Sequence, residues 1–234
     1  MGLGLKLIKI RHWSHFMPFV FDAYGTLFDV HAAISRHRAA VGPDAEGFSV
    51  LWRTKQLEYT WTNTLAGRYS DFWTLTEQAL DFCLARFPSV NKSLRATLLD
   101  AYLTLDAYPD ARAILRDLKA RGDKTGILSN GSPAMLAKAI EAAGIKDLLD
   151  VSLSIDSLRM YKPRAEVYAM VTQAFGCKPA DVMVVSSNRW DIMGAGTFGF
   201  RTAWINRTNM PDEYGAPAPT IVLSDLTGLA ALPR

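Results

Sequence analysis

Asp22 follows the apolar run Pro18–Phe21 directly, and Ala23, Tyr24, Gly25, Thr26 and Leu27 come next. An acid leaving a buried strand sits where a carboxylate can act as a nucleophile. Gly25 permits a tight turn, and the Thr26 hydroxyl can fix the carboxylate by a hydrogen bond. An Asp capping the following turn would use the same residues. A second apolar run ends Leu128-Ser129-Asn130-Gly131-Ser132-Pro133. N–H groups at a helix start, with the Ser129 hydroxyl, make an anion site. Ser132 as cap and Pro133 at the first helical position serve the helix itself, so both roles fit. Met160-Tyr161-Lys162-Pro163 follows a third run. Lys162 can neutralise carboxylates or a bound anion there, or simply be solvated. Ser186, Ser187, Asn188, Arg189, Trp190 and Asp191 leave a fourth run. Asp191 then falls in a helix's first turn, where negative charge is favoured anyway. Each cluster has a structural explanation by itself. Four of them, each at the end of an apolar run, point to one site.

The elements that must carry these residues are short. Apolar, β-rich runs recur at 18–21, 125–128, 151–155, 182–185 and 201–205. They are near-continuous rather than alternating, as in strands covered on both faces. Helical patterns at 132–143, 164–175 and 189–197 lie between the later ones. Strands alternating with helices predict an α/β fold with a doubly wound parallel sheet. Right-handed crossovers put every strand's C-terminal end on one rim. Residues 31–108 break the rhythm and read as successive helices. Val50, Leu57, Trp61 and Leu65 form one apolar stripe, and Phe72, Leu75, Ala79, Phe82 and Phe87 another. Pro109 and Asp110 restart the α/β pattern. The expected organisation is an extension at 1–17, a core of 18–30 and 109–234, and an inserted helical cap subdomain at 31–108. Such a cap can close over the rim where open α/β folds bind ligands. The stretch 211–219 reads as a surface loop before a final strand and helix.

The chain of 234 residues suits a core domain carrying an insertion. At 49% hydrophobic residues it can build a sizeable core, and a net charge of +3 is too small to argue for nucleic acid. No apolar run reaches the roughly 20 residues of a membrane helix. Two cysteines, Cys83 and Cys177, make neither a disulfide framework nor a metal-ligand spacing. They read as reduced, partly buried thiols of a cytoplasmic protein. Lys6, Lys9 and Arg11 interrupt the apolar N-terminal stretch, which lacks the pattern of a signal peptide. An extension, or a true start at Met17, fits it better.

The order of motifs resembles the haloacid dehalogenase superfamily: Asp and Thr after the first strand, Ser after the second, Lys before a later helix, and an acid after the fourth. The stretches FDAYGTLFDVH, LWRTKQLEYTW, ILSNGS, YKP followed by Val167-Tyr168, VSSNRWD and WINRT are similar to the type II L-2-haloacid dehalogenases. The likeness spans roughly 18–228. Phosphatases of the superfamily carry a second acid where this chain has Tyr24. They also carry extra carboxylate where this chain has Ser186, Ser187 and Asn188 before a lone Asp191. With Lys162 offsetting Asp22 and Asp191, no metal and no cofactor are expected.

The resemblance implies a Rossmann-like core and hydrolytic dehalogenation of short-chain (S)-2-haloacids to (R)-2-hydroxyacids plus halide. Asp22 would attack C2 and form an ester, which water then hydrolyses. Thr26 and Lys162 would keep Asp22 oriented and ionised. Ser129, with backbone N–H groups near Asn130 and Gly131, would hold the substrate carboxylate. Arg53 would cradle the halide, with Asn188 and Trp190 adding contacts. Tyr24, Leu57, Phe72 and Trp190 would wall a small apolar pocket. Asp191 would activate water, with Ser186, Asn188 and Lys162 arranging it. Tyr168 matches a site residue of the family, although a packing role serves it equally. The expected partner is a small 2-halocarboxylate substrate, with no nucleic acid, no membrane, and a homodimer by resemblance. Three alternatives stand beside this one: an azetidine-2-carboxylate ring-opening hydrolase, a Mg²⁺-dependent small-molecule phosphatase, and a non-catalytic binding protein on the same scaffold.

Overall fold

The computed structural model describes residues 17–232. The expected extension at 1–17 therefore lies, Met17 excepted, outside the described residues. Six parallel strands form one sheet in the order β3-β2-β1-β4-β5-β6. They are β1 (Pro18–Phe21), β2 (Lys124–Ser129), β3 (Val151–Ser154), β4 (Met183–Ser186), β5 (Arg201–Ile205) and β6 (Ile221–Leu223). β1 and β4 are buried at every position, which is why their sequences are apolar without alternation. The order reverses direction between β1 and β4, and the crevice beyond such a switch point is where α/β sheets bind ligands.

Between β1 and the second strand lie α1 (Ala32–Arg36), α2 (Arg38–Val41), α3 (Ala45–Leu65), α4 (Phe72–Arg86), α5 (Arg95–Leu103) and α6 (Ala111–Ala120). The chain leaves and re-enters the sheet region through two segments bonded to each other. Asp29 N–H donates to Asp106 O at 2.8 Å, and Tyr108 N–H donates to Leu27 O at 2.9 Å. The later helices are α7 (Pro133–Ala142), α8 (Ala165–Phe175) and α9 (Arg189–Phe198), within a residue or two of the expected spans. Ser132 caps α7, accepting from Met135 N–H, with Pro133 at its first position. Beyond the loop at 211–219, β6 is followed by a 3-10 turn, Leu226–Ala231, where a final helix was expected. Cys83 is buried, Cys177 is half-buried, and both are free. Among the described residues no helix is long and apolar enough to cross a membrane.

Both apolar stripes need correcting. On α3 the buried residues are Ala45, Phe48, Ser49, Trp52, Gln56 and Thr60. Val50 and Leu65 are exposed, while Leu57 and Trp61 are half-buried. The buried face carries polar residues that satisfy one another, so apolar periodicity does not reveal it. Gln56 Nε2 donates to Thr76 Oγ1 at 3.0 Å, and Tyr102 OH donates to Gln56 Oε1 at 3.2 Å. Trp52 Nε1 donates to Thr76 O at 2.9 Å. On α4, Phe72, Leu75 and Ala79 are buried as expected, but Phe82 is exposed beneath the Lys55 ammonium, 4.9 Å from its ring, and Phe87 is half-buried. Thr76→Val keeps the shape at this junction but leaves the Gln56 amide buried without its acceptor. A loss of about 1–3 kcal/mol in urea unfolding is expected, with Thr76→Ser losing less.

Candidate active site

The C-terminal ends of β1, β2 and β4 bring the polar clusters to one rim. Asp22 N–H donates to Val185 O at 2.8 Å, which ties the turn after β1 to β4. The Asp22 carboxylate is almost wholly buried and meets three donors. Lys162 Nζ donates to Oδ1 at 3.1 Å; Asn188 Nδ2 and Thr26 Oγ1 donate to Oδ2 at 2.7 and 3.3 Å. Both of its oxygens are therefore fixed in direction. Thr26 is held in turn, since its Oγ1 accepts from Ser187 N–H at 2.9 Å. Asn188 N–H donates to the buried Ser186 Oγ at 3.1 Å, so Ser186 orients the residue that orients Asp22.

Lys162 also reaches the second acid. Its Nζ lies 2.9 Å from Asp191 Oδ2, and both side chains are enclosed, at 1% and 0% exposure. Asp191 Oδ1 accepts from Tyr168 OH at 2.8 Å. One ammonium thus bridges two carboxylates in a dry setting and leaves one net negative charge. Burial alone would lower the Lys162 pKa, but the charges of Asp191 and Asp22 and their hydrogen bonds outweigh it and raise it. Burial pushes the Asp191 carboxyl above the usual carboxylate range; Lys162 opposes this and Asp22 adds to it. Burial, then the neighbouring Asp191, holds the Tyr168 phenol well above its ordinary value, so it stays a donor.

The helices lying over the rim supply the opposite wall. Asp22, Tyr24, Arg53, Leu57, Phe72, Ser129, Asn130 and Trp190 line a tight cavity of about 10 Å³. The Tyr24 ring stacks on Tyr102 at 5.9 Å and packs against Phe72 at 6.0 Å. Burial and Tyr102 push its phenol above the ordinary value, against the pull of Arg53. Arg53 Nη2 donates to Tyr24 O at 3.0 Å, while its Nη1 is buried with no acceptor. A buried cationic N–H with no protein acceptor is chemically suited to receive an anion. On the β2 side, Ser129 Oγ accepts from Gly131 N–H at 3.0 Å, which leaves the Ser129 hydroxyl hydrogen available to a ligand. That N–H was expected to face an anion directly; it serves through Ser129 instead. Asn130 Oδ1 accepts from Lys162 N–H at 3.1 Å and joins this turn to the lysine.

All the expected site residues therefore gather at one place, in two groups. Asp22, Thr26, Lys162, Tyr168, Ser186, Asn188 and Asp191 form the carboxylate network. Tyr24, Arg53, Leu57, Phe72, Ser129, Asn130 and Trp190 face the cavity with Asp22. Lys162 and Asn188, expected also to touch substrate, spend their side chains on Asp22. Three contributors escaped the sequence reading. Tyr102 supports Tyr24 from α5, and nothing local marks it. Arg189 is buried and clamps the loop beside Trp190, donating to Asp212 Oδ1 at 2.7 Å and Tyr214 O at 3.0 Å. Gly194 lets Tyr168 approach α9: a Cβ there would sit 2.5 Å from Tyr168 OH and 2.5 Å from Pro163 Cβ. A glycine inside a helix, costing about 1 kcal/mol against Ala, was the available signal.

Comparison with known proteins identifies the family. The model of the haloacid dehalogenase-like hydrolase family matches residues 18–199. The chain is 49% identical over 214 residues to (S)-2-haloacid dehalogenase 1 of Pseudomonas sp. (strain CBS-3), covering 91% of this chain and 94% of that protein. It superposes on the crystal structure of a dehalogenase with a TM-score of 0.89 at 44% identity, covering 92% and 96% of the two chains. The L-2-haloacid dehalogenase of Xanthobacter autotrophicus with chloropropionic acid covalently bound superposes with a TM-score of 0.84 at 37% identity, covering 92% and 97%.

Lys162→Met would strand two buried carboxylates. Urea unfolding is expected to show a loss of about 3–5 kcal/mol, partly recovered when Asp191→Asn is added. A single variant as stable as the parent would show that the acids do not lean on this ammonium.

Proposed function

Because the chain belongs to the haloacid dehalogenase-like hydrolases, we propose that it hydrolyses short-chain (S)-2-haloacids to (R)-2-hydroxyacids and halide through an ester on Asp22. One observation carries this reading: the Asp22 carboxylate, oriented by three donors, shares a closed cavity with the unpartnered guanidinium Nη1 of Arg53. Nucleophile and leaving-group site thus face the same small cavity.

In the first step an Asp22 oxygen forms a bond to C2. The carbon–halogen bond breaks, and the halide departs with its electron pair toward Arg53. In-line attack inverts C2, which takes the S acid to the R product. Ser129, with the positive start of α7 behind it, binds the substrate carboxylate. Tyr24, Leu57, Phe72 and Trp190 exclude water and enclose the C2 substituent. In the second step water adds to the ester carbonyl carbon. Asp191, whose basicity is raised by burial, takes the water's proton. The C–O bond to the alkoxide then breaks, the alkoxide takes the proton held by Asp191, and the water's other proton is released, so Asp22 regains its charge with one oxygen from water. Tyr168 and Lys162 position Asp191, while Ser186, Asn188 and Thr26 keep Asp22 aligned. Residues 31–108 act as a cap on a core of 18–30 and 109–234, and the paired segments at Leu27–Tyr108 and Asp29–Asp106 support that division.

The donor set does not fit a divalent ion. Among the described residues no group of three His, Cys, Asp or Glu side chains could hold one. The position between Asp22 and Asp191 is filled by an ammonium, and Tyr24 stands where a phosphatase needs an acid. No step is therefore routed through a metal.

Chloride release from (S)-2-chloropropionate with EDTA present tests the reading. The parent protein is expected to turn over, Asp22→Asn to lose about 10⁴-fold or more, and Arg53→Lys about 10²–10³-fold in kcat. A single turnover in ¹⁸O-water should place the label in Asp22. A requirement for Mg²⁺, or full activity after the Asp22 change, would defeat the proposal.

A further inference from the structure

A second cavity begins on the far side of Trp190. It is open to solvent and has a volume of about 340 Å³. Trp61 and Leu65 of α3, Pro163, Trp190 and Met193 of α9, and Tyr214 give it a largely apolar lining. Trp190 belongs to both cavities. One face of α3 runs through both as well. Arg53 and Leu57 line the inner cavity, while Trp61 and Leu65 line the outer, each four residues from the last. This accounts for Leu57, Trp61 and Leu65 of the apolar stripe, while Val50 lies elsewhere on the surface. Leu65, at 88% exposure, is the extreme case. An uncovered apolar strip continuous with a substrate pocket marks a surface that binds something apolar.

The partition is lightly held. Trp190 meets Trp61 edge to face, with ring centroids 5.4 Å apart, and the indole N–H groups of both are buried without an acceptor. No hydrogen bond to either ring is broken when Trp190 turns aside. The inner cavity, about 10 Å³, is near the size of one water-sized sphere, so a longer chain on C2 can extend from it only where a wall moves aside. The outer cavity is also unsuited to the charged end of a substrate. Lys162, which touches it, is committed to Asp22 and Asp191, and Arg164 at its edge is paired with Glu166 at 2.6 Å.

We infer that the outer cavity holds the alkyl chain on C2 of longer 2-haloacids, with Trp190 as the partition that the chain displaces. The inference rests on the dehalogenase reading above. The substrate carboxylate stays at Ser129 and the halogen at Arg53; only the tail crosses. Chain length is then set by the Trp190–Trp61 pair and by the depth of the groove, not by the residues that do the chemistry.

Binding and turnover test it separately. Unhalogenated alkanoates from propionate to octanoate carry the same tail and cannot react. Calorimetric titration of the parent protein is expected to show Kd falling about fourfold for each methylene that enters the groove, the effect of burying one CH₂. A flat or rising series from butyrate to octanoate would overturn the inference, whether or not any variant folds. Met193→Trp fills the groove without touching the inner cavity. It is expected to lower kcat/KM for (S)-2-chlorohexanoate at least tenfold and to leave (S)-2-chloropropionate within twofold. Equal effects on both substrates would also overturn the tail site. Absence of halide release from every 2-haloacid, beside a falling Kd series, would instead remove the proposed reaction and leave the tail site standing.

Discussion

A single ammonium, that of Lys162, is held in the dry interior between the carboxylates of Asp22 and Asp191. Moving three charged groups out of water costs several kcal/mol per ion, and their attraction returns that only when geometry and further hydrogen bonds are good. The rest of the rim meets that condition. Asn188 and Thr26 complete Asp22, and Tyr168 completes Asp191. These six groups come from three segments of the chain, 22–26, 162–168 and 188–191. The network therefore depends on the strands ending at one level, and on the turns after them approaching closely.

Two glycines make that approach feasible. A Cβ on Gly131 would lie 2.7 Å from the Tyr24 ring, and one on Gly194 would collide with Tyr168 and Pro163. Neither position has a left-handed backbone; the requirement is space. The carboxylate cluster and the aromatic wall are thus packed to their limits. Arg53 and Trp190, which face the cavity, each keep a buried N–H without a protein acceptor. The polar groups around Asp22 are committed to one another, whereas the donors facing the cavity are free.

Helix α3 divides its surface in the same spirit. One face enters the core through Trp52, Gln56 and Thr60, whose polar atoms are satisfied by Thr76, Tyr102 and the helix backbone. The other presents Arg53, Leu57, Trp61 and Leu65 to cavities. The apolar side chains there line cavities rather than pack into the core. Hydrophobicity by itself does not separate these two uses, because both remove carbon from water.

The parallel α/β core was legible in the chain because strands covered on both faces must be continuously apolar, and because helices start where Ser132-Pro133 and similar signals stand. The site residues after β1, β2 and β4 were legible for a related reason: polar residues directly after such strands have only the rim to occupy. Arg53, Leu57 and Tyr168 came from resemblance to a family, since their local surroundings fit a solvated or packing helix equally well. Tertiary structure alone decided which face of α3 is core, since Gln56 and Thr60 become buried only when partners from α4 and α5 arrive. It alone decided that Lys162 serves two acids at once and that Tyr102 and Arg189 brace the pocket. Local sequence sets strand and helix periodicity within a few residues; these pairings join groups separated by up to 140 positions, and only the folded chain brings their charges within reach.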